Sequence, residues 1–140
     1  MNRLVAVMTF CKARFDKTHE YELSRYATIN HFSVIGGAGK LLAEFEREYS
    51  PKSLVTYADR RWSVGNMYNK LGFRHDHNSS PNYFYVKNQK RYSRQMFQKH
   101  KLKNKLEKFD VNKTEVENMK DNGYYRIFDC GNMVFEKIYN

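Results

Sequence analysis

The chain has 140 residues, the usual length of a single domain that buries a sizeable core. Hydrophobic residues make up 41% of it and aromatic residues 16%, which excludes a disordered chain, and its two cysteines argue against a disulfide framework. There are 25 Lys and Arg residues against 15 Asp and Glu, and this surplus favours a polyanionic partner such as nucleic acid over a merely soluble basic protein.

Two strands are predicted near the start of the chain. Residues 4–10 (LVAVMTF) form a short apolar and β-branched run, which is typical of a buried strand. Residues 21–29 alternate well enough to be its antiparallel partner, and the polar residues between the two runs would connect them.

A glycine-rich turn, a helix and a further strand are predicted next. The turn covers residues 33–39, and from Lys40 apolar residues recur at helical spacing up to Tyr49, after which Pro51 ends the helix. Residues 54–58 form another short buried strand. This order implies two parallel or near-parallel strands, with the turn opening at one edge of the sheet.

A second helix is predicted before the middle of the chain. Ser63 would cap it, residues 67–71 would form it, and Gly72 would end it as a C-terminal glycine. Residues 83–87 resume strand character. Residues 75–77 read His-Asp-His, but a fourth ligand at recognisable spacing is missing, so a solvated turn is favoured and no metal is expected.

The composition shifts beyond Gln89, where basic residues crowd a predicted helix. Thr114 then opens a short helix with Glu117 in capping-box position, and residues 124–128 and 133–138 are expected to form a closing hairpin. The basic residues of the predicted helix are Arg91, Arg94, Lys99, Lys101, Lys103, Lys105 and Lys108.

Two segments together resemble the GNAT superfamily of N-acetyltransferases: residues 33–42 (SVIGGAGKLL) and residues 66–73 (NMYNKLGF). The resemblance implies an α/β fold with a mixed, mostly antiparallel sheet and flanking helices. Because residues 4–10 resemble the second strand of the family, its N-terminal strand and helices would be missing. We expect one domain, with a GNAT-like core over residues 1–88 and a basic helical segment with the closing hairpin over residues 89–140.

The resemblance also implies a site for acetyl-coenzyme A or another acyl-coenzyme A. In the family, a loop of the form Gln/Arg-x-x-Gly-x-Gly/Ala opens a helix and holds the pyrophosphate, because backbone N–H groups at a helix N-terminus attract phosphate. A tight turn without a ligand is the alternative. The residues assigned to the coenzyme are Ser33, Ile35, Gly36, Gly37, Ala38, Gly39 and Lys40.

Two residues are candidates for proton transfer. The family tyrosine near the coenzyme thiolate can act as a general acid, and the resemblance gives that role to Tyr68; the alternative is a core-edge tyrosine that packs on the sheet. Asp59 ends a predicted strand, where a carboxylate can orient or deprotonate an amine. Alternatively, Asp59 caps the following helix and pairs with Arg25.

A narrower resemblance rests on residues 21–26 (YELSRY) and 53–59 (SLVTYAD). These segments are similar to phage Mom-type proteins that modify adenine in DNA, and to a GNAT-like domain found beside nuclease domains in phage homing endonucleases. The second similarity extends to residues 91–95 and 123–132. It implies a phage-type module that binds nucleic acid; the alternative is an acyl-coenzyme A-dependent N-acyltransferase acting on a nucleobase or another amine. No nuclease signature is present.

Arginines beside an aromatic residue offer phosphate contacts and a stacking plane, so duplex DNA is the expected partner. The sequence has neither a signal-peptide pattern nor a membrane span, so we expect a cytoplasmic protein that acts in the bacterial host. We therefore expect Cys11 and Cys130 to be reduced structural thiols. The residues expected to contact nucleic acid are Arg25, Arg60, Arg61, Trp62, Arg91, Arg94, Lys99 and Lys101.

Overall fold

The computed structural model describes residues 3–140, which gather into two compact units. The first unit contains the described chain up to Ser79 together with Gly131–Asn140, and the second contains Ser80–Cys130. The predicted division at residues 88 and 89 falls inside the second unit. Strands and helices are mixed and most neighbouring strands are antiparallel, which confirms the α/β class.

The part of the chain that the structure describes contains eight strands and four α-helices. The strands are β1 (Ala6–Lys12), β2 (Tyr21–Thr28), β3 (Ser53–Asp59), β4 (Arg74–Asn78), β5 (Tyr83–Lys87), β6 (Lys90–Ser93), β7 (Tyr125–Phe128) and β8 (Asn132–Ile138). The helices are α1 (Gly37–Tyr49), α2 (Asn66–Lys70), α3 (Lys99–Leu102) and α4 (Glu115–Asp121), with a 3₁₀ turn over Arg94–Phe97.

The sheet of the first unit has the strand order β1-β2-β3-β8-β4. Strands β1 and β2 are antiparallel neighbours, and β2 and β3 run parallel on either side of the crossover through α1, as the sequence predicted. Among the described residues, the register of this parallel pair consists of Tyr21 with Leu54 and Glu22 with Val55. These pairs lie near the start of each strand, and directly beyond them the Thr56 hydroxyl donates a hydrogen bond to the carbonyl of Leu23 at 2.9 Å.

Aromatic and aliphatic side chains from α1 and the sheet form the core of the first unit. Leu42 and Phe45 lie three residues apart on α1, so both are buried on one face of the helix. The ring of Phe45 stacks on that of Phe10, with centroids 3.7 Å apart. A buried leucine or phenylalanine side chain contributes about 1.5–3 kcal/mol, so the burial of Leu42 and Phe45 fixes α1 against the sheet.

The cap predicted for the second helix is wrong. Helix α2 begins after Gly65, which has a φ of 77°, whereas the Ser63 hydroxyl accepts a hydrogen bond from the Gly65 N–H at 3.1 Å. A Cβ on Gly65 would lie 2.2 Å from Cζ of Phe135, so close packing dictates glycine there. Gly72, with a φ of 83°, follows the helix as predicted.

The turn predicted at residues 75–77 is also wrong, because these exposed residues belong to strand β4, which pairs with β8.

The second unit is a three-stranded sheet, β6-β5-β7, covered on one face by the short helices. Tyr85 in the central strand is fully buried against Phe97 and donates a hydrogen bond to Oε1 of Glu115 at 2.8 Å. Burial and this bond raise the pKa of Tyr85 above its ordinary value. The predicted capping box of Thr114 and Glu117 is present at the start of α4 and is confirmed.

Two predictions for the second half of the chain are wrong. The basic segment is no single helix but the strand β6, the 3₁₀ turn and α3, because successive lysines repel one another on a continuous helix while Phe97 and Leu102 anchor the shorter pieces. The closing hairpin is absent, since β7 pairs with β5 in the second sheet and β8 lies between β3 and β4 in the first. Asn82 and Asp129 exchange hydrogen bonds that join β7 to β5.

Candidate functional site

An open cleft of about 620 Å³ lies at the N-terminus of α1. The glycine-rich turn forms one wall, and α2 with its C-terminal residue forms the other. The lining residues are Tyr26, Ser33, Val34, Gly36, Gly37, Ala38, Gly39, Met67, Lys70 and Leu71. In open α/β sheets, ligands bind at the carboxyl ends of parallel strands, and the turn that follows β2 occupies that position.

Two glycines of the turn, Gly36 and Gly37, are required by its geometry. Gly36 caps α1 with a φ of 71°, and a Cβ on it would meet open space. A Cβ on Gly37 would lie 2.7 Å from Cγ1 of Val34, so only glycine fits there. The first hydrogen bond of the helix runs from the N–H of Lys40 to the carbonyl of Gly36 at 3.0 Å. The N–H of Gly37 is bonded to the carbonyl of Val34 at 3.0 Å, so those of Ala38 and Gly39 are the ones left outside the helical bonding pattern.

The first turn of α1 contains no acidic residue that would offset the positive end of the helix dipole. Lys70 adds a cationic side chain to the opposite wall of the cleft. The cleft therefore presents peptide dipole and ammonium charge to the same space, an arrangement suited to an anionic group such as phosphate.

Tyr68 lies on α2 but is not among the residues that line the cleft. Its ring packs against the core, with its centroid 5.3 Å from that of Phe135 and 6.0 Å from that of Phe73. Met67, Lys70 and Leu71 occupy the neighbouring helix face, which turns to the cleft. The half-buried position of Tyr68 is that of the core-edge alternative.

Asp59 ends β3 and organises the turn after it. Its Oδ1 accepts the Arg61 N–H at 2.9 Å, and its Oδ2 accepts the Arg61 guanidinium at 2.9 Å. In the alternative interpretation Asp59 paired with Arg25, but the structure pairs it with Arg61, which lies only two residues away and reaches the carboxylate through both backbone and side chain. These hydrogen bonds lower the pKa of Asp59, so the carboxylate is ionised and weakly basic at neutral pH.

The expected nucleic-acid residues of the first unit lie partly in this turn. Trp62 is 81% exposed, and the guanidinium carbon of Arg61 lies 5.9 Å from its ring centroid. Arg60 is exposed beside them, and its N–H bonds the carbonyl of Gly131 at 3.2 Å. Arg25 is exposed on β2. An indole next to a guanidinium can stack on a base while the cation meets a phosphate.

The expected nucleic-acid residues of the second unit lie along its sheet and short helices. Arg91 lies over the ring of Phe84, with its guanidinium carbon 4.6 Å from the centroid, and Arg94 lies 5.0 Å from the ring of Tyr83. Lys99 is exposed on α3, and Lys101 donates a hydrogen bond to the carbonyl of Gln95.

The cleft brings together five of the seven residues assigned to the coenzyme; Ile35 and Lys40 do not line it, and Ile35 is 93% exposed. Asp59 does not line it either. Five further residues line the cleft that the sequence did not predict as site residues: one from β2, one from the turn and three from the second wall. Met67, Lys70 and Leu71 lie within the motif of residues 66–73. Their spacing of three and four residues places them on one face of a helix, and this spacing could have identified them. The residues missed are Tyr26, Val34, Met67, Lys70 and Leu71.

Within residues 3–140, no cluster of three or more His, Cys, Asp or Glu residues is arranged to hold a metal ion, and no helix is long and apolar enough to cross a membrane. No protein-family model matches the chain, and no curated protein matches it.

Proposed function

We propose that this chain is a phage-type nucleic-acid-binding protein with a GNAT-like fold, that it acts in the cytoplasm, and that its partner is duplex DNA. The concentration of cations in the second unit carries the proposal. That unit contains twelve Lys and Arg residues against six Asp and Glu. Such a surplus favours binding to a polyanion through release of its counterions.

The placement of the arginines favours a surface that binds nucleic acid over a basic surface that only keeps the protein soluble. The guanidinium of Arg91 lies over the ring of Phe84 and that of Arg94 over the ring of Tyr83, and Arg94 also donates a hydrogen bond to Oδ1 of Asn82 at 3.1 Å. Contacts that restrict a guanidinium lower the entropy lost when a phosphate binds.

Two variants of equal net charge test the proposal. Arg94→Gln removes a cation over a ring, whereas Arg47→Gln removes an exposed cation on α1 that pairs with Glu44. We expect Arg94→Gln to weaken binding of a fluorescein-labelled duplex about tenfold, since a hydrogen bond to a charged group contributes about 1.5–3 kcal/mol, and Arg47→Gln to change it less than twofold. Fluorescence anisotropy measures both. Equal weakening by the two variants would show that only net charge matters.

The second candidate function is an acyl-coenzyme A-dependent N-acyltransferase acting on a nucleobase or another amine. The cleft at the start of α1 favours it, because helix dipole and Lys70 there suit a pyrophosphate. In this candidate, Asp59 and Tyr68 would transfer protons from positions outside the lining of the cleft. Calorimetric titration with coenzyme A tests it: parent protein should release or absorb heat saturably, and Lys70→Gln should weaken binding about tenfold. Absence of binding heat at millimolar coenzyme would exclude it.

A further inference from the structure

One face of the sheet in the second unit is left uncovered by its helices. Val86 stands opposite both Arg91 on β6 and Tyr125 on β7, and Phe84 stands opposite Ile127. Residues directly opposite in neighbouring strands point to the same side of a sheet, so these five side chains share one face, here called the open sheet face. Tyr85, which alternates with them, points to the core on the other side.

The open sheet face is aromatic and solvent-exposed. Tyr125 is 60% exposed and Ile127 46% exposed, while Phe84 and Val86 are half-buried beside them. Contiguous exposed apolar side chains on a flat sheet are typical of an interaction surface, because leaving them in water loses the free energy that burial supplies.

The charge of the sheet identifies the kind of partner. Its three strands contain four cationic residues and no Asp or Glu. Arg91 lies on the open face itself, over the ring of Phe84, whereas the other three cationic residues alternate onto the opposite side of the sheet. An occupant that matches this surface must be anionic and must offer flat apolar groups. The cationic residues of the three strands are Lys87, Lys90, Arg91 and Arg126.

We propose that the open sheet face binds single-stranded nucleic acid, with unpaired bases stacked on Phe84 and Tyr125 and a phosphate on Arg91. The bases of a duplex stack on one another and hide their faces, whereas unpaired bases stack on exposed aromatic side chains of a sheet. This proposal rests on the proposed nucleic-acid function and adds to it a distinct surface for strands whose bases are open.

The test compares two aromatic residues of equal exposure on opposite faces of the same strand. Tyr125 and Phe128 are each 60% exposed on β7, but Phe128 stands opposite Tyr83, on the side away from the open face. The full-length protein is titrated into labelled oligothymidylate of about 12 nucleotides. Tyr125→Ala should weaken binding about fivefold to a hundredfold, Tyr125→Phe should keep the parent affinity, and Phe128→Ala should change it less than twofold.

Three results would overturn the proposal that the open sheet face binds single-stranded nucleic acid. Unchanged single-strand affinity in Tyr125→Ala, with duplex binding intact, refutes the open sheet face while the proposed function stands. Failure of the parent to bind either duplex or single strand refutes both. If a second copy of the chain covers this face, sedimentation will show a dimer that Tyr125→Ala dissociates, and the nucleic-acid assignment is wrong. Circular dichroism checks the fold. If the alanine variant unfolds, Tyr125→Leu, which keeps an apolar side chain but removes the stacking ring, should weaken single-strand binding by the same factor, and unchanged affinity refutes the proposal.

Discussion

Replacement of Gly65 by Ala tests the packing that holds α2 beside the cleft. Gly65 has a φ of 77°, and left-handed backbone costs a non-glycine residue about 1–2 kcal/mol. The new Cβ would lie 2.2 Å from Cζ of Phe135, a fully buried ring that must shift, and overpacking of a core costs about 1–3 kcal/mol. Gly65→Ala should therefore lose about 2–5 kcal/mol of unfolding free energy, a large part of the roughly 5–15 kcal/mol of a typical domain.

Gly39→Ala is the matched control for this variant. Gly39 lies in the first turn of α1 without a positive φ, and a Cβ there would meet Cδ2 of Leu71 at 3.9 Å, an ordinary contact. Its stability should be unchanged or raised by up to about 1 kcal/mol. Urea denaturation measures both variants against the parent. If Gly65→Ala unfolds within about 0.5 kcal/mol of the parent, the described packing of Gly65 on Phe135 is wrong.

Three further variants test the site and its charges. Gly36→Val should abolish stabilisation by acetyl-coenzyme A in a thermal-shift assay while the fold survives, because the branched side chain projects into the cleft; equal stabilisation of variant and parent would mean that the turn binds no phosphate. Asp59→Asn should lower the thermal midpoint, since Arg61 loses its ion pair, and should leave duplex affinity unchanged or slightly raised; a catalytic Asp59 would instead cost about 100-fold in product formation, measured by mass spectrometry. The hydrogen bond from Thr18 lowers the pKa of Asp16, so its stabilising effect is present above the ordinary aspartate pKa of about 3.9 and is lost as the pH falls through the lower folded value. Asp16→Asn should flatten that acid loss in urea midpoints, and an equally steep loss would refute the assignment.

Local patterns predicted the elements around the cleft. The apolar run before Lys12, the glycine turn and Pro51 each act over a few residues, so β1, β2, α1 and their pairing could be predicted from the sequence. The start of α2 could not, because it depends on the distance between Gly65 and Phe135, which are far apart in the chain.

The pairing of β7 and β8, each within its own unit, could not be predicted from the sequence pattern. The residues between β7 and β8 include Gly131 with a φ of 73°, and such a glycine is equally compatible with a hairpin turn and with a crossing from one sheet to another. Which neighbour a strand selects depends on long-range contacts, here Asn82 with Asp129 and β8 with β3. The open sheet face escaped prediction for the same reason, because it exists only once β7 lies beside β5.

The salt dependence of duplex DNA binding tests the central claim most directly. Each protein cation that neutralises a phosphate contributes about 0.9 to the slope of log Kd against log salt concentration. With the cations of the second unit engaged, anisotropy titrations between about 50 and 200 mM salt should give a straight line with a slope of at least about 3. A dissociation constant above about 100 µM at the lowest salt, or one that does not change with salt, would contradict the assignment of this chain to nucleic-acid binding.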